Sequence, residues 1–210
     1  MTDTITVAID GPAASGKGTI AKRIAEELGL RHLDTGTLYR GVAAMVQDQG
    51  VFPTDGEAAG RIAGELSIDV LDRDDLREPG IGNLASIVAA HPEVRSALLE
   101  WQRNFAMGGA VVDGRDIGTV VLPDATAKLF VTAELDVRAA RRWREVSKIG
   151  DIAYRTIKDQ IEDRDTRDAE RAISPMTHAD DADLLDTTEM SIDEAVEEAL
   201  RLVRKQIQAA

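Results

Sequence analysis

Cysteine is missing from this chain of 210 residues, and aromatic residues make up only 3% of it. Without thiols the chain forms no disulfide bonds and no thiolate metal sites, which fits the cytoplasm. It also lacks an apolar run long enough to span a bilayer, and its N-terminus lacks a basic, apolar signal pattern. The composition therefore predicts a soluble, cytoplasmic globular protein with no membrane partner.

Positive charge is scarce: the chain has 25 Lys and Arg against 38 Asp and Glu, which gives a formal net charge of −13. Such a charge argues against nonspecific binding to nucleic acid. Eight arginines nevertheless cluster late in the chain: Arg138, Arg141, Arg142, Arg144, Arg155, Arg164, Arg167 and Arg171. The cluster predicts a local anion pocket. For Arg138 and Arg144 we favour the alternative, a solvated helix face with ion pairs. The three histidines have no metal-ligand spacing.

A glycine-rich loop follows the apolar run of residues 5–9, and a helical pattern follows the loop. Its G-x-x-x-x-G-K spacing is typical of a phosphate cradle, in which main-chain N–H groups and a lysine bind the phosphates. The predicted phosphate-binding residues are Gly11, Pro12, Ala13, Ala14, Ser15, Gly16, Lys17, Gly18 and Thr19. Gly18 stands where Ser or Thr is common, so the usual hydroxyl–metal contact stays open.

Strand and helix patterns alternate along the chain. We predict strands over 5–10, 30–34, 110–113, 127–131 and 183–186, and helices over 17–29, 35–49, 55–66, 134–146, 152–165 and from 192 onward. Helical periodicity also covers 84–105. This alternation indicates an α/β fold with a parallel sheet flanked by helices, whose ligands bind at the carboxyl ends of the strands.

Two segments are predicted to move against this core. Glycine, proline and clustered acids interrupt residues 50–83, where we expect an insert with one weak strand at 68–71. The helices on either side of 147–150 carry arginines and form a candidate lid, about 146–164. The predicted single domain 1–210 thus has a core of about 1–49, 84–145 and 165–210.

An aspartate, Asp113, ends the third predicted strand and is followed by Gly-Arg-Asp. Beside a phosphate loop, such an aspartate is well placed to organise Mg²⁺ through water, although an ordinary Asp-Gly turn is the alternative. Phosphoryl transfer needs two anionic substrates in line and positive charge over the migrating group. Candidate arginines are Arg40, Arg115, Arg164 and Arg171.

Four segments together resemble the bacterial cytidylate kinases, which are P-loop nucleoside monophosphate kinases. They are residues 9–19, residues 33–40 (Leu-Asp-Thr-Gly-Thr-Leu-Tyr-Arg), residues 113–123 (beginning Asp-Gly-Arg-Asp) and residues 164–171 (Arg-Asp-Thr-Arg-Asp-Ala-Glu-Arg). Adenylate kinases usually carry Asp-Gly-Phe-Pro-Arg in place of the third segment. The insert departs from the family, because many relatives have a longer hairpin there.

The resemblance implies a role for each matching residue. Residues 11–19 hold ATP phosphates, and Lys17, Arg115 and Arg171 act in catalysis. The acceptor is CMP or dCMP: Arg40, Arg115 and Arg171 face its phosphate, Arg164 and Asp168 its ribose, and Ser86, Arg95 and Asp116 its base, with Thr35 also in the substrate site. An ionised Asp116 suits the 4-amino donor of cytosine and would repel the carbonyl of uracil. Ser86 could equally be a small packing residue within a helix.

The implied function is transfer of the ATP γ-phosphate to CMP or dCMP with Mg²⁺, in pyrimidine metabolism. Arg141, Arg142 and Arg155 are lid candidates without separate roles. A monomer is the simplest expectation, with no nucleic acid partner. Two alternatives stay open: a kinase for another monophosphate such as UMP or AMP, and a nucleotide-binding module without turnover.

Overall fold

A parallel sheet of five strands runs through the computed structural model, which describes residues 4–148 and 150–209. The strands lie in the order β2-β3-β1-β4-β5, and every neighbouring pair is parallel. They are β1 (Thr6–Asp10), β2 (Arg31–Asp34), β3 (Ala110–Gly114), β4 (Ala127–Thr132) and β5 (Asp183–Asp186). The predicted α/β class and all five predicted strand positions outside the insert are confirmed.

Helices cover both faces of the sheet. They are α1 (Lys17–Leu28), α2 (Thr35–Asp48), α3 (Gly56–Gly64), α4 (Ile68–Leu71), α5 (Pro79–Val88), α6 (Pro92–Ala106), α7 (Leu135–Val146), α8 (Tyr154–Glu170) and α9 (Ile192–Ala209). A 3₁₀ turn spans Asp74–Arg77 and a π-helical turn spans Ile117–Val121. None of the described helices is long and apolar enough to cross a membrane.

Two apolar cores result, one on each face. On one face α2 and α6 pack against the sheet and α3 and α5 pack on these helices, with Leu38 and Leu98 fully buried. On the other face α1 and α9 do so, with Ile20 and Val203 fully buried. Strands covered on both faces must be apolar throughout, which explains why the central strands are runs of Val, Ala and Ile.

The predicted strand at 68–71 is wrong, because these residues form the short helix α4. No described strand lies beside them to pair with, and the main-chain N–H of Val70 donates to the oxygen of Ser67, the residue that caps this helix, at 3.2 Å. Residues 84–105, which showed one helical periodicity, belong to two helices: α5 ends at Val88 and α6 begins at Pro92. Helix α8 runs to Glu170, so the predicted lid boundary at 164 falls inside one helix. In the predicted break at 147–150, Ile149 lies outside the described residues, as do 1–3 and 210 of the predicted domain.

The carboxyl ends of the adjacent strands β2, β3 and β1 bring acidic side chains to one edge of the sheet. Asp34 pairs in register with Asp113, and Asp10 with Gly114. The phosphate loop follows β1 directly, so it lies at the same edge. This edge is where ligands bind in parallel α/β sheets.

Candidate active site

The phosphate loop turns from β1 into α1 through two positive φ angles at glycine. Gly11 has φ +148° and Gly16 has φ +91°. A Cβ at Gly11 would lie 2.0 Å from the main-chain oxygen of Val131, so the loop approaches β4 too closely for any side chain. Lys17 begins α1, is buried, and donates from Nζ to the oxygen of Pro12 at 3.2 Å. The lysine is thereby folded over the loop that would hold phosphates.

Helices α7 and α8 hold this loop in place through Arg138, which was expected on a solvated helix face. That expectation is wrong, since Arg138 is buried and donates to the oxygen of Ala13 at 3.1 Å and to the carboxylate of Asp165. Asp165 in turn accepts from the N–H of Ala13 at 3.0 Å. Burial of a charge requires such a partner. Arg144 is exposed, as predicted.

The carboxylates at the strand ends are already hydrogen-bonded. Asp113 is buried, and one of its oxygens lies 2.8 Å from Nε2 of His32. The Thr35 hydroxyl donates to the main-chain oxygen of Asp113 at 2.8 Å. Arg40 donates to Asp34 at 2.7 Å. Burial raises the pKa of Asp34, but the charge and hydrogen bond of Arg40 outweigh the effect of burial, so the net shift of this pKa is downward.

Asp116 is the shared acceptor of two buried arginines. Arg95 donates to Oδ2 of Asp116, and Arg171 donates to its Oδ1 at 3.3 Å. The Arg95 guanidinium also lies 5.6 Å from the centre of the Tyr39 ring. The three residues come from α6, the turn after β3 and the end of α8, and they form one ion-pair cluster.

Asp168 organises a second cluster beside the first. It accepts from Arg115 at 2.8 Å, lies 3.8 Å from Nε of Arg164, and receives a long contact from the Ser86 hydroxyl at 3.5 Å. Burial opposes its ionisation, but the charges of Arg115 and Arg164 hold the pKa of Asp168 below its usual range. The carboxylate therefore stays ionised and can accept hydrogen bonds.

A single cavity of about 700 Å³ brings almost all predicted site residues together. Its lining includes Ala13, Ala14, Ser15, Gly16, Lys17, Gly18, Thr19, Thr35, Arg40, Ser86, Arg95, Asp113, Arg115, Asp116, Arg164, Asp168 and Arg171, and also the lid candidates Arg141 and Arg142. Gly11 and Pro12, at the start of the loop, do not line the cavity. Arg155 also lies outside it, with a side chain 91% exposed and 3.8 Å from Asp159.

The cavity is built for an anion, although the protein is acidic. Burial and the nearby Arg115 lower the pKa of Lys17 to about 7, and burial and Arg115 lower the pKa of Arg164 to about 10. Within the described part of the chain, Nε of Arg95 and Nε of Arg164 are buried donors without a hydrogen-bond partner. Crowded cations and unused donors both favour a ligand that supplies negative charge and acceptor atoms.

Sequence reasoning missed several residues that build the site. Asp10 is buried and accepts from the N–H groups of Ile117 and Gly118 at 2.7 and 2.8 Å, which holds the turn that follows Asp116. Burial raises its pKa to about 6. Its place at the end of an apolar strand was a usable signal. Nothing in the local sequence of His32 indicated its bond to a strand-end carboxylate.

Comparison with known proteins agrees with this geometry. The family model described as cytidylate kinase matches residues 7–205. A cytidylate kinase of Xanthobacter autotrophicus is 53% identical over 200 residues, which cover 94% of this chain and 96% of that protein. The cytidylate kinases of Rhizobium meliloti and Azorhizobium caulinodans are 52% and 51% identical, over 95% of this chain and 96% and 98% of theirs.

Solved structures at low identity show the same fold. An uncharacterized protein from Eubacterium ventriosum superimposes with a TM-score of 0.58 at 15% identity, covering 99% of this chain and 100% of that one. An unliganded sugar kinase from Janibacter gives 0.50 at 18%, covering 99% of both chains. The family match over residues 7–205, together with relatives about half identical along nearly their whole lengths, shows that this chain belongs to the cytidylate kinase family.

Proposed function

We propose that this member of the family transfers the γ-phosphate of ATP to CMP or dCMP, giving ADP and CDP or dCDP. The observation that carries the proposal is the shared cavity, in which the phosphate loop lies together with the cluster of Asp116, Arg95 and Arg171. One region suits a nucleoside triphosphate and the other a base, a ribose and a phosphate.

The phosphate loop and Lys17 would hold the ATP phosphates, while Arg40, Arg115 and Arg171 hold the phosphate of CMP. Lys17, Arg115 and Arg171 would also balance the charge on the migrating group. No general base is required, because the acceptor phosphate is already ionised. The protein's contribution is alignment and positive charge in a buried site.

Cytosine would be selected by the polarity of three side chains. The carboxylate of Asp116 accepts from the 4-amino group, while Arg95 and Ser86 donate to N3 and O2. Uracil has a carbonyl in place of the amine, so its oxygen and the Asp116 carboxylate, both acceptors, would repel each other. Arg164 and Asp168 would contact the ribose hydroxyls, with Thr35 nearby.

A magnesium ion fits the donor set if water and phosphate complete its shell. Among residues 4–148 and 150–209, no three His, Asp or Glu side chains converge on one point. Asp113 offers a carboxylate oxygen 3.8 Å from where a Cβ of Gly18 would stand, so it faces the start of α1. Mg²⁺ commonly keeps several waters and takes one or two carboxylates plus substrate phosphates. Asp113 would hold it through water, and the ion would neutralise phosphate charge.

We further propose that residues 50–83 act as the monophosphate-binding insert and about 146–164 as a lid, around a core of 1–49, 84–145 and 165–210. The packing supports a lid that docks on the loop, because Ala13 lies in one apolar cluster with Ala139, Ile157 and Ile161. We propose a cytoplasmic monomer whose partners are its small substrates.

A coupled ADP-release assay with ATP and Mg²⁺ tests the function, with CMP, dCMP, UMP, AMP and dTMP offered separately. We expect fast turnover confined mainly to CMP and dCMP. Equal rates with UMP would still support a nucleoside monophosphate kinase but would refute base selection by Asp116. No acceptor-stimulated turnover would favour a nucleotide-binding module instead.

A further inference from the structure

We infer that Arg167 is a positioning residue that sets the hydrogen-bond polarity of Ser86 and thereby favours cytosine over uracil. The inference rests on the proposed function, in which Ser86 meets the base. Arg167 lies on α8 and is not among the residues that line the cavity. It would act on the substrate only through Ser86.

The contacts of Arg167 bridge two helices that are far apart in sequence. Its Nε donates to Oγ of Ser86 at 3.3 Å, and its Nη2 donates to Oδ1 of Asn83 at 2.9 Å. Both acceptors lie on α5, one turn apart, so the planar guanidinium spans them. Nearby arginines on α8 pair with carboxylates, but in the described part of the chain no carboxylate lies within ion-pair distance of Arg167.

This arrangement decides how Ser86 can bond. A guanidinium donates only, so Oγ of Ser86 must accept from Arg167, and its single O–H is then free to donate elsewhere. In this structure the O–H is directed to Asp168 at 3.5 Å, beyond the usual range for a hydroxyl bond to a carboxylate. So weak a contact is easily exchanged for a better acceptor.

Cytosine supplies such an acceptor at N3, whereas O2 accepts in both cytosine and uracil and does not distinguish the two bases. Uracil presents N3–H, a donor, to the same region. Because Arg167 occupies one of the two lone pairs of Ser86, only one is left to accept from uracil N3–H, whereas the O–H is free to donate to N3 of cytosine, which therefore fits better. Losing this one net hydrogen bond of about 1 kcal/mol would change discrimination about fivefold.

A double-mutant cycle with Arg167→Met and Ser86→Ala tests the inference, with kcat and KM measured for CMP, UMP and ATP. We expect Arg167→Met to lower the CMP-to-UMP ratio of kcat/KM about fivefold, chiefly through a higher KM for CMP, with KM for ATP unchanged. In the Ser86→Ala background the same change should have no further effect on the ratio. Asn83→Ala, which keeps Arg167 but removes the acceptor of its Nη2, should lower the CMP-to-UMP ratio by less. Arg201→Met, an exposed arginine on α9, is the matched control.

The outcomes separate the inference from the proposed function. If Ser86→Ala lowers the ratio but Arg167→Met leaves it unchanged, the inference fails alone. Equal effects of Arg167→Met in both backgrounds would also overturn it, since Arg167 would then not act through Ser86. A lower melting temperature with kcat reduced equally for both acceptors would indicate a structural role only. A wild-type protein without preference for CMP would overturn the proposed base selection and the inference with it.

Discussion

Asp116 offers the sharpest test, because the proposed function gives this one carboxylate two roles, the stability of the site and the choice of base. Asp116→Ala removes the shared partner of Arg95, which is 8% exposed, and of Arg171, whose side chain is 4% exposed. Asp116→Asn keeps the shape and one acceptor oxygen but removes the charge. The two substitutions therefore separate the loss of side-chain volume and of both acceptors from the change in charge and hydrogen-bond polarity alone.

The stability effect follows from leaving buried guanidinium groups unpaired. Removing one member of a buried ion pair costs about 3 to 5 kcal/mol. At this chain length about 1 kcal/mol shifts the melting temperature by about 2 to 4 °C. Asp116→Ala should lower it by at least about 6 °C in a calorimetric scan, and Asp116→Asn by less. Glu57→Gln, on an 86% exposed side chain, is the control and should leave it unchanged.

The activity effect has a definite sign. A hydrogen bond to a charged group contributes about 1.5 to 3 kcal/mol, so Asp116→Asn should lower kcat/KM for CMP about 10- to 100-fold. The new amide can donate to the uracil carbonyl, so UMP should lose less or gain. An Asn variant that retains the wild-type CMP-to-UMP ratio would refute the assignment of Asp116 to the base.

Three further predictions concern the phosphate loop. Burial and Arg115 lower the pKa of Lys17 to about 7, so ATP binding above pH 7 should restore a proton to the lysine. The ATP Kd should therefore rise between pH 7 and 9, and calorimetry in two buffers should show proton uptake on binding. Lys17→Met should abolish this proton uptake. Gly11→Ala should lower the unfolding free energy measured in urea by more than about 4 kcal/mol, because its Cβ meets the main-chain oxygen of Val131. Gly50→Ala, at φ +65° with open space around it, should lower it by about 1 to 2 kcal/mol. Similar losses for the two variants would contradict the close approach of the loop to β4. Arg138→Met should lose about 3 kcal/mol and Arg144→Met, at an exposed position, less than about 0.5 kcal/mol; equal small losses in urea would refute the tether to the loop.

The sequence was most informative where structure is local. The spacing of the glycines and Lys17 predicted the phosphate loop, because a strand, a tight turn and a helix start follow from neighbouring residues. The alternation of apolar and helical patterns predicted the parallel sheet for the same reason. Motif resemblance then supplied the site residues, and all of them except Gly11 and Pro12 line one cavity, as do the lid candidates Arg141 and Arg142 but not Arg155.

Errors arose where the deciding contact lies far away in sequence. Arg138 reads as a surface residue on its own helix, but Ala13, 125 residues away, accepts its hydrogen bond. Residues 68–71 look like a strand, but a strand needs a partner, and none lies beside them in the described sheet. The end of α8 was placed five residues early because the polar run 165–170 carries little apolar periodicity.

By itself the sequence determined the order of the five core strands, the phosphate loop and the family, since these depend on spacing and on residue types along the chain. Only the tertiary structure decided which charges pair. It places Arg95 and Arg171 on Asp116 across 21 and 55 residues, and Arg167 on Ser86 across 81. Ion pairs and hydrogen bonds act over a few ångströms, so they are defined only when the sheet and its helices bring distant residues together.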